Sequence, residues 1–202
     1  MVSSLVSEIS TVILLIVSNL GYWGIFALMF FESLDIPLPS EVVLPFAGFL
    51  AYLNRFDVMA VILVAATGNL AGSLANYWVA YRYRDSAANL IEKWRLVSAK
   101  EMTWVYKWFE TRGLIVVFLG RLLPIVRTFI SFPAGFFKVS LKHFAVLTFV
   151  GSFIWCSALT YIGYAAGYNW MTLEPYFRQF DYIILGVIIL GAVWEIIRRF
   201  HK

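Results

Sequence analysis

The sequence predicts an all-α polytopic membrane protein built as an inverted repeat, with two oppositely oriented re-entrant helical hairpins packed among transmembrane helices. Three observations predict it. Hydrophobic residues make up 61% of the 202-residue chain and charged residues only 14%, with a mean hydropathy of +0.79, outside the balance of soluble domains. The basic residues are grouped in a few stretches between long apolar ones. Two further apolar stretches, each interrupted by prolines, are too short to cross a bilayer twice.

Taken in order, Val2, Leu5, Val6, Ile9, Val12, Ile13, Ile16 and Val17 follow helical spacing, with serines and Glu8 between the first of them. This predicts a start that lies along the membrane interface, and it has no basic n-region of the kind that marks a signal peptide. Stretches long enough for a hydrocarbon core of roughly 30 Å run over Thr11–Phe31, Asp57–Tyr81, Lys142–Gly167 and Tyr182–Ile197. No low-complexity linker divides the chain, so residues 1–202 are read as one membrane domain with a C-terminal transmembrane helix at 182–197.

Charge placement then sets the topology. Seven of the sixteen Lys and Arg lie between Arg82 and Arg112, with others at Lys138, Lys142, Arg198, Arg199 and Lys202. The positive-inside rule assigns these to the cytoplasm, the C-terminus included, and leaves Arg55 and Arg178 outside. Arg112 and Lys138 therefore share a side, yet only 25 residues, 113–137, separate them, whereas two crossings need roughly 40. That segment must enter, turn and leave, and irregular backbone at such depth survives when buried in protein or facing a watery cavity. Residues 32–52, carrying Pro37, Pro39 and Pro45, predict a second such hairpin from the opposite side. Shifting the sequence by 87 positions places Pro37 on Pro124, Ala47-Gly48-Phe49 on Ala134-Gly135-Phe136, and Glu41 opposite Thr128, beside Arg127. Inverted repeats with broken half-helices meeting at the midplane are an architecture of secondary transporters.

Arg121 and Arg127 stand inside the second hairpin, where an ionisable side chain costs roughly 2.5–3.5 kcal/mol to insert and reads as a functional site with a partner nearby. The partners available in the first hairpin are Glu32, Asp35 and Glu41. A guanidinium fork stays charged and grips two oxygens of an anion, so Arg121 and Arg127 suit phosphate. Glu32 and Glu41 can neutralise the arginines in the empty site and exchange protons when an anion arrives; Asp35 either joins them, sits at the hairpin mouth or caps a half-helix. Pro37, Pro39, Pro124, Pro133, Gly48 and Gly135 would shape the hairpins. The bland alternative is a buried salt-bridge network that only holds the hairpins together.

The segments FESLDIPLPSEVVLPFAG and GRLLPIVRTFISFPAGFFKVSLKHFAVLTFVGSFIW resemble the DedA family, also called the SNARE-associated or VTT domain, over residues 30–167. The resemblance implies two oppositely oriented re-entrant hairpins and lipid transport, undecaprenyl phosphate translocation among its bacterial members. It maps the family's functional acids to Glu32 and Glu41 and its arginines to Arg121 and Arg127. At Gly72-Ser73 the chain departs from the Gly-Asp of many relatives, so no ion-coupling role is carried to that position. The expected partners are polyprenyl phosphate or another anionic lipid and the bilayer, without nucleic acid; a homo-oligomer is compatible with the sequence. A scramblase and an ion-coupled exporter are the alternatives within this class.

An enzyme is the alternative class, a membrane lipid phosphatase above all. His143 and His201 lie far apart in the chain, no HExxH or GxSxG motif is present, and no cofactor or metal is expected. Lone Cys156 excludes an intramolecular disulfide. Gly68–Gly72 and Gly163–Gly167 have the small-xxx-small spacing of close helix packing; Asn69 and Asn76, on one face, hydrogen-bond across that interface or line the cavity. Ser98–Glu101 has capping-box spacing, and Trp94, Trp104 and Trp108 suit an interfacial belt.

Overall fold

A computed structural model describes residues 12–36, 38–93, 107, 112–123 and 126–169. The first eleven residues of the predicted interfacial start, the capping box, the three belt tryptophans, the helix at 182–197, Pro37 and Pro124 lie outside those residues. Every regular element among the described residues is helical: α1 (12–20), α2 (Tyr22–Glu32), α3 (Ser40–Tyr52), α4 (Val58–Lys93), α5 (112–121), α6 (Val126–Phe129), α7 (Ser131–Phe136) and α8 (Leu141–Ala166), with a single 3-10 turn at Gly167–Asn169.

Two helices are long and apolar enough to cross a membrane, Val58–Arg84 and Leu141–Ala166; at 1.5 Å per residue each spans about 40 Å. Asp57 starts the first by accepting the Ala60 N–H at 2.7 Å, and its own N–H donates to the Tyr22 hydroxyl at 2.8 Å. That second bond orders the N-terminal half of the fold. Tyr22 opens α2, and its ring also lies 4.9 Å from that of Phe56, just beyond α3. So α2 and α3 run in opposite directions around an apex at residues 33–39.

This differs from the sequence reading in three ways. Thr11–Phe31 is not one continuous crossing helix, because Gly21 adopts φ 58° and separates α1 from α2. The first hairpin draws its leading arm from α2, and Glu32 stands at its apex rather than at its entrance. Pro45, expected to interrupt the chain, is carried inside an unbroken α3; it deprives the Glu41 carbonyl of its helical donor, but the buried surroundings hold the helix together. Within the second proline-interrupted stretch the described residues form short helices, α5 ending at 121, then α6 and α7.

Three half-helices stop by the same device. After α2, α3 and α7 a residue in the left-handed region, Asp35, Asn54 or Lys138, is flanked by paired 6→1 and 5→2 hydrogen bonds, for example Arg55 N to Leu50 O and Asn54 N to Ala51 O. This Schellman closure satisfies the last carbonyls without solvent.

α3 lies along α8, α7 along α4, and α2 along α4. Glycines permit the close approaches: a Cβ on Gly48 would stand 2.0 Å from the Thr160 carbonyl oxygen, one on Gly135 2.3 Å from that of Tyr77, and one on Gly163 1.9 Å from that of Pro45. Gly48 and Gly135 thus do not bend the chain; they let helices touch. Gly68 and Gly72 do the same for α4 against Phe26 and Phe30 of α2. One core gathers Ile25, Met29, Val43, Leu44 and Val61, a smaller one Tyr77, Val117, Ile130 and Phe144. The outer surface stays strongly apolar, with Trp23, Ile115, Trp78 and Tyr161 at least 60% exposed, a surface suited to lipid rather than water.

Candidate functional site

The turn between α2 and α3 meets α6 in the interior, and Arg127 is the point of contact. From α6 its Nη2 donates to Oε1 of Glu32, the last residue of α2, and to Oγ of Ser40, the first residue of α3. Its guanidinium carbon lies 4.8 Å from the ring centre of Trp155 in α8, within cation–π range. Four elements therefore converge on one side chain. Exposure is 6% for Arg127 and 3% for Glu32, so the pair is removed from water and each charge depends on the other.

Arg121, also 3% exposed, closes α5 and has a different environment. Its Nη1 donates to the Arg127 carbonyl and its Nη2 to Ser131 Oγ, both at 2.6 Å, and its carbon lies 5.6 Å from the Phe144 ring. It straps the broken α5–α6 corner and thereby holds the backbone that carries Arg127. Gly151 of α8 makes this possible, since a Cβ there would come within 2.6 Å of Arg121 Cβ.

Glu41 is half-buried at the edge of the cluster and touches it through Ser40, whose hydroxyl donates to Glu41 Oε2 at 3.2 Å while accepting from Arg127. Asp35 belongs to a second network. Asn76 Nδ2 donates to Asp35 Oδ2 at 2.7 Å and to the Ser33 carbonyl at 3.4 Å, and Asn69 Oδ1 accepts from Ser33 Oγ at 2.9 Å. Both asparagines thus bond across the helix interface and secure the first apex to α4. Asp35 does not cap a helix N-terminus with its side chain; it takes the left-handed position in the closure that ends α2. Pro39 precedes α3 with extended backbone, and Pro133 sits in the first turn of α7, where a missing N–H costs little.

Sequence reasoning missed Ser40, Ser131 and Trp155. Ser40 had a signal: it stands 87 positions before Arg127, one residue from the Glu41–Thr128 match. Four polar atoms of the cluster are buried without a protein partner: Glu32 Oε2, Arg121 Nε, Arg127 Nε and Trp155 Nε1. Chemically, the arrangement is a buried cluster of two guanidinium groups, with Glu32 bonded directly to Arg127 and Glu41 reached through Ser40.

Residues 38–165 match the VTT domain. The chain is 32% identical over 198 residues to an "Alkaline phosphatase-like protein" of Lactococcus lactis subsp. cremoris, covering 94% of this chain and 92% of that one. It is 26% identical to "Undecaprenyl phosphate transporter A" of Staphylococcus aureus, covering 92% and 94%, and 29% identical to "Protein DedA" of Escherichia coli, covering 93% and 87%. No solved structure matches it.

Proposed function

The chain belongs to the VTT-domain, or DedA, family of membrane proteins, and from that premise we propose that it moves polyprenyl phosphate, undecaprenyl phosphate in a bacterial host, across the cytoplasmic membrane for reuse of the carrier lipid. The observation that carries this reading is Arg127, an anion-gripping side chain held between Glu32 and Ser40 where α2, α3 and α6 meet, with its Nε buried and without a protein partner. Only the head group of such a lipid needs a protein path, because its tail can stay in the bilayer throughout. The transporter named among the relatives agrees with this substrate class.

We further read the fold as two inverted, re-entrant halves. α2 and α5, with 11 and 10 residues, reach about 15 Å, half the hydrocarbon thickness. Contacts support the 87-residue register: Ser40 bonds Arg127 and Asn69 bonds Cys156, both pairs 87 apart, as residues beside a two-fold axis must. Off the axis, Gly48 against Tyr164 is answered by Gly135 against Tyr77, and Tyr52 beside Tyr164 by Val139 bonded to Tyr77.

The test is transbilayer movement of undecaprenyl phosphate in proteoliposomes, with a labelled phosphatidylcholine as internal control. Selective movement that is lost in Arg127→Ala supports the proposal. Equal movement of both lipids would replace it with a scramblase, and release of inorganic phosphate, the activity hinted at by the Lactococcus names, would replace it with a phosphatase.

A further inference from the structure

Hydrogen-bonding capacity left unspent in a buried site describes the ligand that would use it. Around Arg127 the unspent atoms are three donors, Arg127 Nε, Arg121 Nε and Trp155 Nε1, and one acceptor, Glu32 Oε2. Native interiors leave few such atoms, and these belong to side chains already fixed by their other contacts: Arg121 by the Arg127 carbonyl and Ser131, Arg127 by Glu32 and Ser40, and the Trp155 ring by its stacking on Arg127.

The lone acceptor is the informative member. A phosphodiester, the head-group linkage of ordinary bilayer phospholipids, offers the site acceptor oxygens only; the three donors would be satisfied, but Glu32 Oε2 would face an anion with no hydrogen between them. A phosphomonoester carrying one proton offers acceptor oxygens and one P–O–H donor. The second ionisation of such a group falls near about 6 in water, and a water-poor site favours the form with less charge. Resting on the lipid-phosphate reading of this site, we propose that it selects phosphomonoester lipids as the singly protonated anion, with Glu32 Oε2 accepting the P–O–H hydrogen while Trp155 Nε1 and the two arginine Nε groups donate to the phosphoryl oxygens. Glu32 then determines specificity, rejecting diesters by the unpaired buried charge they leave, and Trp155 is a binding residue that the sequence does not announce. Rejection by an unsatisfied buried group is the stronger form of discrimination when the wrong ligand is in great excess. Asp35 Oδ1 is also a buried acceptor without a partner, but its carboxylate is held by Asn76 in the second network, away from Arg127, and it lies outside this set.

Polyprenyl phosphates and phosphatidic acid share the monoester chemistry, so the experiment separates head group from tail. Binding to the purified full-length protein is measured for undecaprenyl phosphate, dioctanoyl phosphatidic acid and dioctanoyl phosphatidylmethanol, in which a methyl ester replaces the P–O–H. The expected result is that phosphatidic acid binds at least about tenfold more tightly than phosphatidylmethanol. In Glu32→Gln, whose amide still accepts from Arg127 but turns a donor toward the phosphate, that ratio should fall to within about threefold. Trp155→Phe keeps the ring under Arg127 and should weaken both lipids alike, leaving the ratio unchanged. Equal binding of the two dioctanoyl lipids to the wild type, or an unchanged ratio in Glu32→Gln, overturns the proposal. If Glu32→Gln does not fold, the wild-type ratio decides alone. If undecaprenyl phosphate binds while the two short lipids are not distinguished, only this inference fails; if none of the three binds, the transport reading falls with it.

Discussion

Removing Glu32 and Arg127 one at a time and together separates a transport site from a structural salt bridge. Their side chains are 3% and 7% exposed, so Glu32→Leu strands a buried guanidinium and Arg127→Leu a buried carboxylate. Each single change should cost about 3–5 kcal/mol, a shift of more than a hundredfold in the unfolding equilibrium at roughly 1.4 kcal/mol per decade. Arg127→Leu gives up in addition the stacking on Trp155, about 0.5–2 kcal/mol. With both residues Leu the uncompensated charge is gone and two apolar side chains of similar volume remain; such replacements are often neutral or stabilising by about 1–4 kcal/mol. The double variant should therefore approach or exceed wild-type stability, giving a coupling of at least about 6 kcal/mol. Unfolding in mixed micelles reads the stability, and proteoliposome flux reads the function. The double variant is predicted to be folded and inactive. A double variant that transports at the wild-type rate would make the pair structural, and one no more stable than the singles would show that the two charges are not each other's main partners.

Three other outcomes follow from particular contacts. Gly163→Ala places a Cβ 1.9 Å from the Pro45 carbonyl oxygen, so α3 and α8 must separate; a loss of about 1–3 kcal/mol or more in the same unfolding assay is expected, and an unchanged midpoint would contradict the packing. Asn54 holds φ 58° at the end of α3, so Asn54→Val should cost about 1–2 kcal/mol whereas Asn54→Gly should be neutral or stabilising, with flux unaffected in the glycine variant. Asn69 Nδ2 lies 3.6 Å from Cys156 Sγ, and a pair 87 apart maps onto itself when two inverted halves exchange conformations; oxidative cross-linking of Asn69→Cys to Cys156 should therefore leave flux largely intact, and abolition that reduction reverses would place the moving interface there.

Legibility in the sequence tracked what composition and spacing can encode. The two long helices, α4 and α8, came within a residue or so of their predicted starts because length and hydropathy alone define a crossing. The second broken stretch, between Arg112 and Lys138, is too short for two crossings, and its described residues fold as the short helices α5, α6 and α7. The first was placed ten residues late, since Tyr22–Phe31 is as apolar as any crossing helix and a single left-handed glycine, Gly21, turns that stretch into a short arm.

The acids and bases of the site were legible because a charge in an apolar stretch needs a partner, and Glu32 with Arg127 are indeed bonded across 95 residues. Its neutral members were not, because Ser40, Ser131 and Trp155 are unremarkable in an aromatic membrane sequence until geometry brings them to a guanidinium. The 87-residue shift is where the two kinds of information join. In the sequence it rests on one proline and an Ala-Gly-Phe triplet; in space the same interval recurs as direct bonds between Ser40 and Arg127 and between Asn69 and Cys156. Those bonded pairs are not alike in residue type. On the inverted-repeat reading proposed above, a repeat that keeps its backbone register while its axis residues diverge to serine against arginine gains an asymmetric centre within a symmetric frame. A lipid phosphate needs such a centre: one binding point, approached from two sides.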